Sequence, residues 1–263
     1  MYPAHTENLF SLGLNKEIIG VSKDETYPLE ALKKPVFSPF DSVEKFISAR
    51  PDLILIRPML ERAHRLLFEK LKRVGIKIVS IQPKSVDEMY DYWRELGRLT
   101  GKEKEAEEMV KRFKEEIKKI QKKVSMIPYS KRKRVFFESI HSKFKTFSPT
   151  SIAMFVLKTA GGINVAEDAV TVRNTNIAEY GKEKILAHAD EIDVYIAQRG
   201  RMNPVTKEDI IKEPGFEAIK AIREGKVYIV PEEIVSRPTL RLIKGIYLIA
   251  HILYPEIFTG RYR

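Results

Sequence analysis

The chain contains no cysteine, which excludes disulfides, thiolate metal sites and cysteine nucleophiles while leaving the cellular compartment open. Long apolar runs are also missing: Leu53–Ile56 and Ile246–Leu253 fall far short of the about 20 residues needed to span a bilayer. The opening Met1-Tyr2-Pro3-Ala4-His5 has no basic stretch leading into an apolar one, so the residues at hand carry no secretion signal. The chain is therefore expected either to be cytoplasmic or to lack an upstream piece. Signatures of catalysis are absent too: no GxSxG elbow, no Walker loop, no GxGxxG after a strand and no HExxH. Gly161-Gly162 is too short to cradle a phosphate and reads as a helix stop. No catalytic residue, metal site or cofactor is expected, and the reading is of a protein that is not an enzyme.

What is present is a chain of 263 residues, 43% hydrophobic and 10% aromatic, enough for a packed core in one or two domains. Lys and Arg number 47 against 36 Asp and Glu, a formal charge of +11. That excess is compatible with nucleic acid, an acidic membrane or an anionic small ligand and selects none of them.

Short β-branched runs alternate with amphipathic stretches of helical length, the pattern of an α/β fold with parallel strands. Strands are predicted at Ile18–Val21, Leu53–Ile56, Ile76–Ile81, Arg134–Phe137, Val194–Ile196 and Val227–Val230. Helices are predicted around Leu60–Val74 with Gly75 as C-cap, at Val86–Leu99, at Ile152–Ala160 and at Leu242–Leu253. The segment Lys102–Ser125 has no Gly or Pro, is mostly Glu and Lys, and spaces Ala106, Val110, Phe113, Ile117, Ile120 and Val124 helically. It predicts one long helix between two lobes, with residues 1–101 as the N-terminal lobe, 102–126 as the connection and 127–263 as the C-terminal lobe. A stiff connection implies small closure on binding, a few degrees of tilt rather than a wide hinge.

In open α/β sheets, ligands bind beyond the carboxyl ends of the strands. The residues in those places are Arg57 after the Leu53–Ile56 strand, Arg199 and Arg201 after Val194–Ile196, and Arg237 after Val227–Val230. Ser139 and His141 follow Arg134–Phe137, and Tyr2 and His5 stand in the first turn. Arginines grouped this way suit carboxylate, phosphate or catecholate oxygens, whereas singly each reads as an ordinary surface residue. Phe144, Phe147 and Tyr180 serve equally as cleft wall or core. His64, His188 and His251 fall on apolar helices and read as packing, while His5 and His141, with Tyr2, are candidates to approach a metal chelate. Glu44 and Glu183 lie near helix starts, where a carboxylate caps free amides.

Fragments in register along nearly the whole chain resemble substrate-binding proteins of ABC importers for ferric siderophores, haem and cobalamin, the helical-backbone class. They are His5-Thr-Glu-Asn-Leu-Phe-Ser-Leu-Gly13 with Ile18–Val21, Ser42–Ile56, Leu96-Gly-Arg-Leu-Thr-Gly101 with Glu103 and Ala106, Ala160-Gly-Gly162, Arg237-Pro-Thr-Leu-Arg241 and Leu253–Phe258. The resemblance implies two α/β lobes with mostly parallel sheets flanked by helices, joined by one long helix. It implies a monomer that carries an iron(III) chelate or related anionic chelate to an ABC permease dimer, outside the cytoplasm and free or membrane-anchored. It also implies that Glu44 and Glu183 dock onto arginines of the permease. The family's first strand precedes the turn at which this chain begins, so the N-terminal lobe is expected to lack that strand or to fill its place otherwise. Two alternatives are a tetrapyrrole metal chelatase using His5 or His141, and a basic nucleic-acid-binding protein; the basic turn Lys131–Arg134 fits the latter or a solvated loop.

Overall fold

The computed structural model describes residues 1–173 and 175–259. The chain divides into two compact units, one of Met1–Pro83 with Asp87–Lys111, the other of residues 84–86 with everything from Arg112 onward.

The N-terminal unit opens with α1 (Pro3–Ser11), whose Pro3 sits at the first helical position, where its missing N–H costs nothing. Next come β1 (Val21–Ser22) and β2 (Val36–Phe37), then α2 (Val43–Ala49), β3 (Leu53–Ile56), α3 (Pro58–Ala63), α4 (Arg65–Arg73), β4 (Lys77–Ser80), α5 (Val86–Thr100) and α6 (Glu103–Val124). Ser42 caps α2 by accepting the Lys45 amide. Gly75 ends the α4 turn at φ +91, in the left-handed region that a glycine enters without steric cost. β1 pairs only with β2 and β3 only with β4 among the described residues, both in parallel. The core of this unit gathers Phe46, Ile54, Ile56, Phe68, Leu71 and Ile76.

Two expectations change here. The predicted Ile18–Val21 strand is reduced to Val21–Ser22, because ladder pairing to Val36–Phe37 is all that holds it. The predicted helix over Leu60–Val74 is two helices broken at His64, whose backbone leaves the helical region at φ −126, ψ 37. The His64 ring packs edge-on against Phe40, centroids 4.9 Å apart.

The α6 helix is continuous over 22 residues. Its apolar positions Ala106, Val110, Phe113, Ile117, Ile120 and Val124 are all buried, as the sequence spacing requires. Gly97 on α5 makes room for Ala106: a Cβ at Gly97 would come within 2.6 Å of the alanine methyl. Further along, the Phe113 and Phe155 rings stack at 6.4 Å. The helix is therefore packed along its length, its first half within the N-terminal unit and its second half within the C-terminal unit.

The C-terminal unit follows with β5 (Arg134–Ile140), β6 (Lys145–Phe147), α7 (Ile152–Thr159), β7 (Ile163–Asn164), β8 (Val170–Thr171), β9 (Ile177–Glu179), α8 (Lys182–Ala187), β10 (Val194–Arg199), α9 (Lys207–Ile211), α10 (Lys220–Arg223), β11 (Val227–Pro231), α11 (Glu232–Val235) and α12 (Leu242–Leu253). These strands form one sheet in the order β11-β10-β5-β6-β9-β8, with β7 on β5. The β11, β10, β5 and β7 pairings are parallel, and β6, β9 and β8 extend the sheet in antiparallel fashion. The antiparallel extension was not anticipated, since its strands are only two or three residues long. Val135, Phe136 and Phe137 of β5 are fully buried, the continuous apolar run of a parallel strand covered on both faces. The strands β5 and β10 also run further than predicted, so Ser139 and Arg199 lie within strands rather than after them. Ser139 is buried and its hydroxyl donates to the Thr146 carbonyl at 2.7 Å.

Candidate functional site

In the N-terminal unit, Arg57 directly follows β3 and precedes Pro58, the first residue of α3. Its guanidinium lies 4.8 Å from the Tyr2 ring centroid, a cation–π contact that holds the planar donor in place. Tyr2 in turn meets the His5 ring edge-on at 5.2 Å. His5 is buried, with Nδ1 2.7 Å from the Tyr92 hydroxyl and Nε2 3.3 Å from the Ile56 carbonyl. A carbonyl only accepts, so Nε2 carries the proton and Nδ1 accepts from Tyr92. Burial, then the nearby terminal ammonium, push the His5 pKa well below its ordinary value; Arg57 adds to this and the Ile56 carbonyl opposes it. The ring is thus neutral and both nitrogens are in use. His5, named from the sequence as a candidate ligand contact, is here buried and packed edge-on against Tyr2, which in turn carries Arg57. Tyr92, missed in the sequence because it reads as one more apolar helix position, completes this arrangement with Asn8.

In the C-terminal unit, a hydrogen-bonded network joins the carboxyl ends of β5 and β10 to the loop after α11. The His141 amide donates to Asn203 Oδ1 at 2.9 Å, and Asn203 Nδ2 donates to the Gln198 carbonyl at 2.8 Å. Gly200 and Asn203 exchange backbone bonds, closing a tight turn that carries Arg201 between them. The Ser236 hydroxyl donates to Gln198 Oε1 at 2.7 Å, fixing the residue just before Arg237. His141, Arg199, Arg201 and Arg237 are therefore carried on one connected framework. Gln198, Asn203 and Ser236 build it, and nothing in their spacing announces them. Arg199 and Arg201 are exposed, whereas Arg237 is half-buried and its Nη1 is buried without a hydrogen-bond partner. The framework is not purely basic: Gly200 is pressed against Glu232, where a Cβ would come within 1.8 Å of Oε2.

His141 is engaged by two carboxylates. Its Nδ1 is 3.0 Å from Glu138 Oε2, and its Nε2 is 3.9 Å from Glu213. Glu138 is wholly buried and also accepts from the Tyr195 hydroxyl. Burial opposes the His141 charge, but the Glu138 hydrogen bond and charge, with Glu213 and Asp209 behind them, outweigh it and raise its pKa. Glu138 and Glu213 thus hold His141 beneath the framework and favour its protonated form. Lys182 sits over both Phe144 and Phe216, at 5.5 and 5.8 Å, and pairs with Glu213 at 2.6 Å. Phe147 and Tyr180 belong to the core. Among the described residues, no group of His, Asp and Glu is arranged to hold a metal ion.

Glu44 and Glu183 both occupy the first turn of their helices, α2 and α8, and both are exposed. Among the described residues neither is in an ion pair. The Glu44 carboxyl is held below the usual range by its own amide and by the Ser42 hydroxyl.

Residues 1–234 match the model of the family described as periplasmic binding protein. The chain belongs to that family. Over 271 aligned residues it is 28% identical to an uncharacterized ABC transporter substrate-binding lipoprotein, YvrC, of Bacillus subtilis, covering 98% of this chain and 80% of the relative. A crystallised periplasmic solute-binding protein of Staphylococcus epidermidis superposes with a TM-score of 0.81 at 29% identity, covering 96% of each chain. The vitamin B12 binding protein BtuF of Vibrio cholerae shares the fold, with a TM-score of 0.71 at 19% identity over 97% of this chain and 95% of that one. This chain, with its two α/β units and the long α6, therefore shares the fold of these binding proteins. Among the described residues no helix is long and apolar enough to cross a membrane.

Proposed function

We propose that this protein binds a small anionic metal chelate of the ferric siderophore type outside the cytoplasm and delivers it unchanged to an ABC importer. The observation that carries the ligand class is Arg237, whose buried Nη1 has no partner. Leaving a buried charged donor unpaired costs about 1–3 kcal/mol or more, a cost that an acceptor oxygen on a bound anion removes. Arg57, stacked on Tyr2, and the exposed Arg199 and Arg201 supply further planar donors at strand ends. The family and the importer-associated relative support the delivery role. The neighbours' ligands support the cargo class: the Staphylococcus protein is described as a possible iron-binding protein, and other relatives are vitamin B12-binding proteins. Glu44 and Glu183, exposed and in no ion pair among the described residues, fit arginines on the permease, which would set orientation and on-rate more than affinity.

Quenching of Trp93, the single tryptophan, during titration with a ferric tricatecholate, a ferric hydroxamate, haem and cobalamin tests this reading. Tight saturable binding of an anionic ferric chelate is expected, with the cargo recovered intact. Binding by none of the panel, or insertion of metal into an added porphyrin, would refute it. For the delivery step, Glu44→Arg with Glu183→Arg is expected to leave chelate binding unchanged and to abolish stimulation of the cognate importer's ATPase.

A further inference from the structure

The basic turn Lys131–Arg134 lies between α6 and β5, at the opposite end of β5 from the framework that carries His141 and the strand-end arginines. A 3₁₀ turn over Tyr129–Lys131 leads into it: the Lys131 amide donates to the Pro128 carbonyl at 2.9 Å and the Arg132 amide to the Tyr129 carbonyl at 3.1 Å. The Lys133 amide donates to the buried Tyr254 hydroxyl at 3.0 Å, and its carbonyl accepts from Ile163 at 2.9 Å. Tyr254 is fixed in turn, its hydroxyl donating to the Gly161 carbonyl at 2.8 Å. Arg134 is engaged within the unit, pairing with Glu191. The three cations before it are thus mounted on bonded backbone, not on a solvated loop.

These three line a groove of about 490 Å³, closed on its other side by the segment after α12. Among the described residues none of Lys131, Arg132 and Lys133 is in an ion pair. The Arg132 guanidinium lies 5.8 Å from the Tyr129 ring centroid, and its Nε is buried without a hydrogen-bond partner, a deficit that an acceptor on a ligand removes. The acidic residues of the groove do not fill that need. Asp193 accepts from Lys220 at 2.7 Å and from the Arg134 amide at 2.9 Å, and Glu256 is exposed. A planar carboxylate is matched best by a single guanidinium fork, whereas the tetrahedral oxygens of a phosphate accept from ammonium and guanidinium donors in several directions. The groove is far larger than one phosphate, and Met126, Ile127 and Pro128 give it an apolar wall.

We infer that this groove is a second binding site, for a phosphate ester: Lys131, Arg132 and Lys133 hold the phosphate oxygens, and the apolar wall takes the esterified group. The seven residues of β5 separate it from His141, about 20 Å at 3.3 Å per residue, so it is distinct from the strand-end arginines of the same unit. A soluble phosphate ester and a lipid headgroup share this chemistry, and the test separates them.

The test titrates the full chain with glycerol 3-phosphate, with acetate as the planar comparator, by calorimetry and by amide NMR at about 0.15 M salt. Saturable one-to-one binding is expected, at least about tenfold tighter than for acetate, with the amides of residues 130–134 shifting and those of Arg199 and Arg201 unmoved. The combined Lys131→Gln, Arg132→Gln and Lys133→Gln variant should weaken it at least about tenfold, while Arg237→Ala leaves it unchanged. Phosphatidylcholine vesicles with and without phosphatidylglycerol form the second arm. Binding to the anionic vesicles alone, lost in the triple variant and competed by glycerol 3-phosphate, assigns the site to a headgroup; saturable glycerol 3-phosphate binding without vesicle binding assigns it to a soluble ester. Acetate binding as tight as the phosphate, or no shift at residues 130–134 with either probe, would overturn the proposal, and the NMR readout holds even if the triple variant fails to fold. So would loss of phosphate binding in Arg237→Ala, which would place the phosphate among the strand-end arginines.

Discussion

In the C-terminal unit, β11, β10 and β5 lie side by side with β7 and the antiparallel β6, β9 and β8 completing one sheet, while the N-terminal unit has its four strands in two separate pairs. The consequence is visible strand by strand. Val135, Phe136 and Phe137 of β5 are wholly buried, but no residue of β4 is. Both units have apolar cores and capped helices, so composition does not account for the contrast. What differs is continuity of the sheet, which decides how much of each strand is removed from water and how many backbone groups have partners.

The largest expected effect follows from that contrast. Phe68→Ala removes a buried ring from the smaller N-terminal core and is expected to cost about 3–5 kcal/mol. Trp93 lies buried in α5 within the same unit, so its fluorescence reports that unit's unfolding while far-ultraviolet circular dichroism reports the whole chain. The fluorescence transition should move to lower urea and separate from the dichroism transition. Coincident transitions in the variant would mean that the two units unfold as one.

In the C-terminal unit, Tyr195→Phe removes the hydroxyl that donates to the buried Glu138 and is expected to cost about 1–3 kcal/mol. The late dichroism transition should shift, with the Trp93 transition unmoved. Arg237→Ala is expected to leave both transitions in place and to weaken chelate binding at least about tenfold, about 1.4 kcal/mol, measured by the titration described above. An unchanged affinity would remove Arg237 from the site.

The smallest effects concern pH and have opposite signs in the two units. The pKa values of His5 and the Met1 amine are lowered, so the unfolded chain binds more protons and the N-terminal unit loses stability as pH falls below their ordinary values. The pKa of His141 is raised, so its contribution is full below the ordinary histidine value and is lost as pH rises through the raised one. Between pH 7.5 and 5.5, about the range where histidine titrates, acidification should bring the Trp93 transition to lower urea while the C-terminal transition holds or strengthens. His5→Gln should flatten the first trend and His141→Gln the second.

Much of this was legible in the residues. The helical spacing from Ala106 to Val124 gave the long helix, because an apolar stripe with no Gly or Pro has few other ways to bury itself. The strand cores Leu53–Ile56 and Val227–Val230 were readable from β-branched runs. The break at His64 was not, because Leu60, Leu67 and Leu71 keep helical spacing across it. The places of Arg57 and Arg199 at strand ends were readable from the sequence, but the residues that support them were not. Tyr92, Gln198, Asn203 and Ser236 act through contacts over long sequence separations, and such contacts leave no local pattern. The roles of His5 and His141 turned on burial and on Glu138, which the sequence does not place.

The most direct test is native mass spectrometry of the full chain with a ferric tricatecholate, alongside Arg57→Ala and Arg237→Ala. The account predicts a one-to-one complex with intact chelate, diminished in both variants while each retains its fold. No complex with any ferric chelate, or an undiminished complex in both variants, would contradict it.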